Sequence, residues 1–175
     1  MNVSELIDKC RQIGPDEEEQ HLKRIRSNGY TIVEQAFNGQ LVNHLLLLVQ
    51  QQFNYQKKDT LSEVPIEWEA DWILNLQNKD KAFIDVLDLP IAITLMMRLL
   101  NDPHFRSLPA TDPNYILGQF VARSSIRELE LHIDAGMPQP GRETTMMQMS
   151  FVLEDTNTAN GCTHVVPGSH LLGEY

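Results

Sequence analysis

One short segment of the chain, residues 131–134 with the sequence Leu-His-Ile-Asp, carries residue types that bind a redox metal. In a β-strand, side chains at positions i and i+2 point to the same face, so His132 and Asp134 would project together. An imidazole nitrogen and a carboxylate oxygen are two of the three ligands in the facial triad that holds non-haem iron(II). The same spacing also occurs in hydrogen-bonded structural pairs, so a His–Asp pair without a metal is the alternative.

Further motifs surround this segment in a fixed order. They are Asn28-Gly29-Tyr30 upstream and, downstream, Gly136-Met137-Pro138, the run Met149–Asp155, the turn Asn160-Gly161-Cys162 and Val166-Pro167-Gly168-Ser169-His170. With these motifs the chain resembles the phytanoyl-CoA dioxygenase family of iron(II)- and 2-oxoglutarate-dependent oxygenases. The resemblance covers most of the chain, and its most specific motifs lie between residues 131 and 170.

The resemblance implies an enzyme that hydroxylates a small or lipid-like organic substrate, consuming molecular oxygen and forming succinate and CO2. It implies Fe(II) as the metal, 2-oxoglutarate as the cosubstrate, and His132 and Asp134 as metal ligands. Gln119 and Arg123 lie on the predicted strand that the family often uses against 2-oxoglutarate. Ser150 occupies the position where relatives often carry a tryptophan beside this cosubstrate. A carboxylate at position 134 favours hydroxylation, because halogenating relatives carry a small residue there.

The family's third metal ligand and its 2-oxoglutarate-binding arginine lie well downstream of the Pro-Gly-Ser-His motif. Only five residues follow His170, so we expect an N-terminal portion of the domain that lacks both groups. His164 and His170 do not match the position of the third ligand, and we expect His170 in a turn or at a strand end. Two alternatives remain: a catalytically incomplete fragment or decayed copy, and a cupin-type binding module without oxygen chemistry.

Helical signals dominate residues 1–110. Capping residues, prolines and glycines predict helices at Ser4–Gln12, Pro15–Asn28, Asn38 to about Tyr55, and Pro90–Leu100. Tyr30–Val33 is a β-branched run that predicts a strand. Trp68 and Trp72 would share one face if their segment is helical. Histidines in this part of the chain, at positions 21, 44 and 104, are expected at the surface or as caps.

Residues 111–175 change to short runs that are typical of strands. The runs are Tyr115–Ala122, Glu130–Asp134, Met146–Leu153 and Thr163–Val166, separated by turn residues. This order predicts an α+β fold in a single domain over residues 1–175. The resemblance implies more: a helical part packed on a double-stranded β-helix, the cupin-like jelly-roll, incomplete at its C-terminus.

Composition excludes several classes of protein. Fourteen basic against 24 acidic residues give a formal net charge of −10, which disfavours nucleic acid and anionic membranes as partners. The longest apolar run, Leu45–Val49, is far shorter than the ~20 residues of a membrane span. Cys10 and Cys162 make no disulfide framework and are typical of a reducing compartment, so a cytoplasmic location is expected. The oligomeric state stays open.

Overall fold

The structure is a computed structural model that describes residues 3–58, 72–100, 117–124, 129–134 and 146–172, and the single residues 109, 112, 115 and 144. Its helices are α1 (Val3–Ile7), α2 (Pro15–Asn28), α3 (Gly39–Lys58), α4 (Lys81–Asp85) and α5 (Pro90–Leu99). Short 3-10 turns lie at Leu76–Asn78, Val86–Asp88 and Ser169–Leu171. In the described residues, β1 (Trp72–Ile73) and β2 (Ala122–Arg123) form one antiparallel sheet.

The second helix begins and ends where the sequence predicts. Pro15 stands at its first turn, and three acidic residues follow at the positive end of the helix dipole. Gly29 closes the helix in the left-handed conformation, with φ of +87°, and its amide donates to the Ile25 carbonyl. Arg98 of α5 lies 2.6 Å from the Glu18 carboxylate, so an exposed ion pair also joins α2 to α5.

Asn38 connects α1 to α3. Its Oδ1 accepts a hydrogen bond from the Leu41 amide at 2.9 Å, which confirms the predicted cap of α3. Its Nδ2 donates to the Leu6 carbonyl at 2.6 Å. The predicted extent of α1, from Ser4 to Gln12, is wrong because the helix ends at Ile7. The Asp8 amide still bonds four residues back, to Ser4, but the Lys9 and Cys10 amides bond three residues back, so the chain tightens and leaves the α-helical path.

The core lies between the helices, and parts of the second half of the chain cover it. Its most deeply buried side chains are Leu22, Leu41, Val86 and Leu89. Partly buried side chains from residues 120–153 pack against it, namely Phe120, Ala122, Met147, Met149, Phe151 and Leu153. The helical half therefore provides the base on which the extended segments lie.

Within the described residues, the predicted strands are almost entirely unpaired. Of the described residues in the five predicted strands, Ala122 alone belongs to a paired strand; the others, including Tyr30–Val33, are extended or irregular. Residues 146–153 nevertheless show the alternation of side chains that an extended strand imposes. Met147, Met149, Phe151 and Leu153 are half-buried, while the residues between them are exposed. A two-residue period determines which side chains face the core, but it does not determine the hydrogen-bonding partner.

Two predictions about aromatic side chains are corrected. Trp72 begins β1 instead of lying on a helix, because residues 72–73 pair with residues 122–123. His21 is buried, with 3% of its surface exposed, and its Nδ1 lies 2.8 Å from the Thr31 hydroxyl. It therefore joins α2 to the extended segment that follows. His44 is half-buried, and Trp68 and His104 lie outside the described residues.

Candidate metal centre

His132 and Asp134 are adjacent in the structure. The distance between His132 Nε2 and Asp134 Oδ1 is 3.2 Å, and 55% and 47% of the two side chains are exposed. The segment carries no strand ladder, yet the two side chains lie on the same side of it, as the spacing predicts. A polar pair thus stands open to solvent on an exposed segment of the chain.

The backbone fixes the orientation of the imidazole. His132 Nδ1 lies 2.7 Å from the Glu130 carbonyl oxygen. A carbonyl can only accept a hydrogen bond, so Nδ1 carries the proton and Nε2 faces the carboxylate. An unprotonated Nε2 and a carboxylate oxygen repel each other unless a cation lies between them. The pair is therefore arranged to hold a proton or a metal ion.

Electrostatics favour a cation at this position. The hydrogen bond to the Glu130 carbonyl is the largest cause that raises the pKa of His132, and the Asp134 carboxylate raises it further. Slight burial and the charge of Arg123 both lower the pKa. The positive charge of Arg123 therefore opposes protonation of the imidazole.

The distances also fit two ligands of one metal ion. Nitrogen and oxygen ligands about 2.1 Å from an octahedral metal lie about 3 Å apart when they occupy adjacent positions. The observed 3.2 Å between Nε2 and Oδ1 matches that edge. The Glu130 carbonyl acts as the outer-sphere partner that metal-binding histidines commonly have. Within the described part of the chain, no group of three or more His, Cys, Asp or Glu side chains is arranged to hold a metal.

The three predicted cosubstrate residues occupy different places. Arg123, on β2, holds its guanidinium carbon 5.4 Å from the centre of the Trp72 ring. Gln119 lines a cavity of about 380 Å³ with Trp72, Leu74 and Leu129. Among the described residues, neither Gln119 nor Ser150 forms a hydrogen bond or ion pair with His132 or Asp134. The structure therefore brings the two metal-ligand candidates together and does not join them to Gln119 or Ser150.

Sequence analysis missed two contributors to this region. The Glu130 carbonyl orients His132, and every residue has a carbonyl, so no residue type could signal it. Trp72 stacks against Arg123 because the β1–β2 register places them opposite each other. β1 and β2 are far apart in the sequence, so local spacing does not specify that register.

Cys162 and His164 form a second exposed contact outside this centre. The distance between Cys162 Sγ and His164 Nε2 is 3.5 Å. Cys162 is half-buried, and His164 is exposed. Neither residue belongs to the His132–Asp134 pair.

Comparison with known proteins identifies the family. The family model described as Phytanoyl-CoA dioxygenase (PhyH) matches residues 25–175. A search of curated proteins and a search of solved structures each returned no match. Within the described residues, no helix is long and apolar enough to cross a membrane. Members of the matched family generally are Fe(II)- and 2-oxoglutarate-dependent oxygenases with a cupin-like fold. Because the match covers most of the sequence, the chain belongs to the phytanoyl-CoA dioxygenase family.

Proposed function

We propose that the chain contributes His132 and Asp134 as two Fe(II) ligands in a 2-oxoglutarate-dependent dioxygenase that hydroxylates a small or lipid-like organic substrate. The observation that carries this proposal is the 3.2 Å separation of Nε2 and Oδ1, with Nδ1 held by a backbone carbonyl. When bound, the iron and 2-oxoglutarate supply the chemistry that transfers oxygen from O2 to a substrate C–H bond, with succinate and CO2 as coproducts.

The protein's own groups would orient and neutralise the reactants. The Glu130 carbonyl holds the imidazole with Nε2 toward the metal position. The Asp134 carboxylate supplies one negative charge to a dication. Arg123 carries the charge that complements an anionic cosubstrate, and its contact with the Trp72 ring restricts where the guanidinium lies. Gln119 and Ser150 would add hydrogen bonds to the cosubstrate.

We also propose that residues 146–153 form a strand of the family's jelly-roll. Their strict alternation of exposed and half-buried side chains supports this proposal. Met147, Met149, Phe151 and Leu153 then form the face that packs on the helices.

A cytoplasmic location also stays a prediction.

The test measures metal binding and 2-oxoglutarate turnover separately. Isothermal titration with Mn²⁺ under anaerobic conditions reports metal affinity, and succinate formation with Fe(II) and O2 reports turnover. His132→Ala and Asp134→Ala are expected to weaken metal binding by more than tenfold and to abolish succinate formation, because each removes a direct ligand. His164→Ala is the matched control, since it removes another exposed histidine outside the pair.

Each result has a defined meaning. Metal binding that depends on both residues, together with succinate formation, supports the dioxygenase. Metal binding without succinate supports a cupin-type binding module or a catalytically incomplete copy, which the lack of a third ligand among the described residues favours. Metal affinity unchanged in His132→Ala contradicts the assignment of this centre.

A further inference from the structure

The C-terminal end of α2 is contacted by the Pro-Gly-Ser-His turn from the other end of the chain. The last carbonyl groups of a helix have no partner within it. Two of these carbonyls find partners here: Asn28 O accepts from the Gly168 amide at 2.8 Å, and Arg26 O lies 3.2 Å from His170 Nε2. Because a carbonyl only accepts, Nε2 of His170 is the donor.

Gly29 makes this approach possible. A Cβ atom at position 29 would lie 2.6 Å from His170 Nδ1, closer than real Cβ atoms approach other atoms, and 3.0 Å from its Cγ, which is unusually tight. The residue also has φ of +87°, which side chains rarely adopt. The imidazole therefore lies directly on the one residue of the helix end that has no side chain.

The turn that presents His170 is itself well defined. Gly168 has φ of +81°, and the 3-10 turn Ser169–Leu171 follows it. The Ser169 amide donates to the Val166 carbonyl, and the Leu171 amide donates to the Gly168 carbonyl. These local bonds hold the imidazole and the Gly168 amide in the geometry that matches the helix end.

We propose that Arg26, Asn28 and Gly29 together with Gly168 and His170 form a latch, in which His170 is the positioning residue that fixes residues 163–172 on the end of α2. A second contact joins the same two parts of the chain: the Phe37 and Phe151 rings meet edge to face, with centroids 5.1 Å apart. The stretch 151–170 is thus held at one end by Phe37, which lies just before α3, and at the other by the end of α2. This role is independent of metal binding.

Hydrogen–deuterium exchange tests the latch in the full chain. In His170→Ala, the Gly168 amide is expected to exchange about fivefold faster, since one hydrogen bond between the two parts is lost. His170→Gln keeps an N–H donor near the Nε2 position and is expected to restore most of the protection. His164→Ala, an exposed histidine in the same stretch, is the control and is expected to leave Gly168 unchanged. Unchanged protection of Gly168 in His170→Ala overturns the proposal.

A double-mutant cycle tests the same contact without relying on one variant. Gly29→Ala is expected to lower the equilibrium constant for folding at least tenfold, because it adds both backbone strain and the clash with His170. In the His170→Ala background the strain remains and the clash disappears, so the effect of Gly29→Ala is expected to be several-fold smaller. If Gly29→Ala alone does not fold but the double variant does, that result also supports the clash between the two residues. Equal effects of Gly29→Ala in both backgrounds contradict the latch.

Discussion

Replacement of Asn38 is expected to destabilise the protein by two separable amounts. Its Oδ1 caps α3 through the Leu41 amide, and its Nδ2 donates to the Leu6 carbonyl at the end of α1. Loss of an N-cap costs about 1 kcal/mol. Loss of the donor to the partly buried carbonyl costs about 1 kcal/mol more. Asn38→Ala is therefore expected to lower the free energy of unfolding by about 2 kcal/mol.

Two further variants at this position separate the cap from the donor. Serine and aspartate are as good as asparagine at N-caps, but neither can donate to the Leu6 carbonyl in the same way. Asn38→Ser is expected to cost about 1 kcal/mol. Asn38→Asp is expected to cost at least as much, because its second carboxylate oxygen would face the Leu6 carbonyl oxygen.

Urea unfolding followed by circular dichroism measures these differences, with the denaturant dependence checked for equality among the variants. If Asn38→Ser and Asn38→Asp both match the unsubstituted protein, only the cap contributes to stability. The inferred link between α1 and α3 would then be refuted.

Three other predictions concern the candidate centre, the thiols and the core. The pKa of His132, raised chiefly by the Glu130 carbonyl, is expected above 6.5 in the metal-free protein, and Asp134→Asn is expected to lower it in an NMR titration; no change would show that the carboxylate does not share the proton. Because the folded-state pKa is raised, the pair stabilises the protein at pH below about 6.5 and this small contribution is lost as pH rises through the raised pKa. Iodoacetamide is expected to modify Cys162 in the native protein and the buried Cys10 only after unfolding, as peptide mass spectrometry would detect; equal rates would mean that α1 is open. Leu22→Ala is expected to lower the free energy of unfolding by about 2–5 kcal/mol in urea, since the side chain is fully buried, and a loss below about 1 kcal/mol would contradict its place in the core.

The helices show which parts of the fold local sequence can predict. Pro15, Gly29 and Asn38 act on neighbouring backbone groups, so the bounds they predict for α2 and the start of α3 are confirmed. The end of α1 is different, because its last turn tightens and the Leu6 carbonyl accepts from the nearby Lys9 amide and Cys10 thiol and also from the side chain of Asn38, far along the chain. Local rules had no access to that partner.

In the extended segments and the candidate centre, too, local features could be predicted from the sequence and distant contacts could not. The sequence predicts a strand at residues 146–153, and their side chains alternate between exposed and half-buried as a strand requires; the i, i+2 spacing predicts the meeting of His132 with Asp134. Both are properties of a few consecutive residues. Strand pairing and the stacking of Trp72 on Arg123 require knowledge of which distant segments meet, so sequence patterns did not reveal them.

The latch has a consequence for the order in which the protein matures during translation. His170 and the Arg26 carbonyl are separated by 144 positions in sequence. The ribosome synthesises α2 early. The Arg26 and Asn28 carbonyls can bond to His170 and Gly168 only after almost all of the described chain has been made. Burial of Leu22 and the Gly29 turn must hold the helix during this interval. The latch therefore forms late in biosynthesis. It forms only in chains whose residues 163–172 have packed on the end of α2.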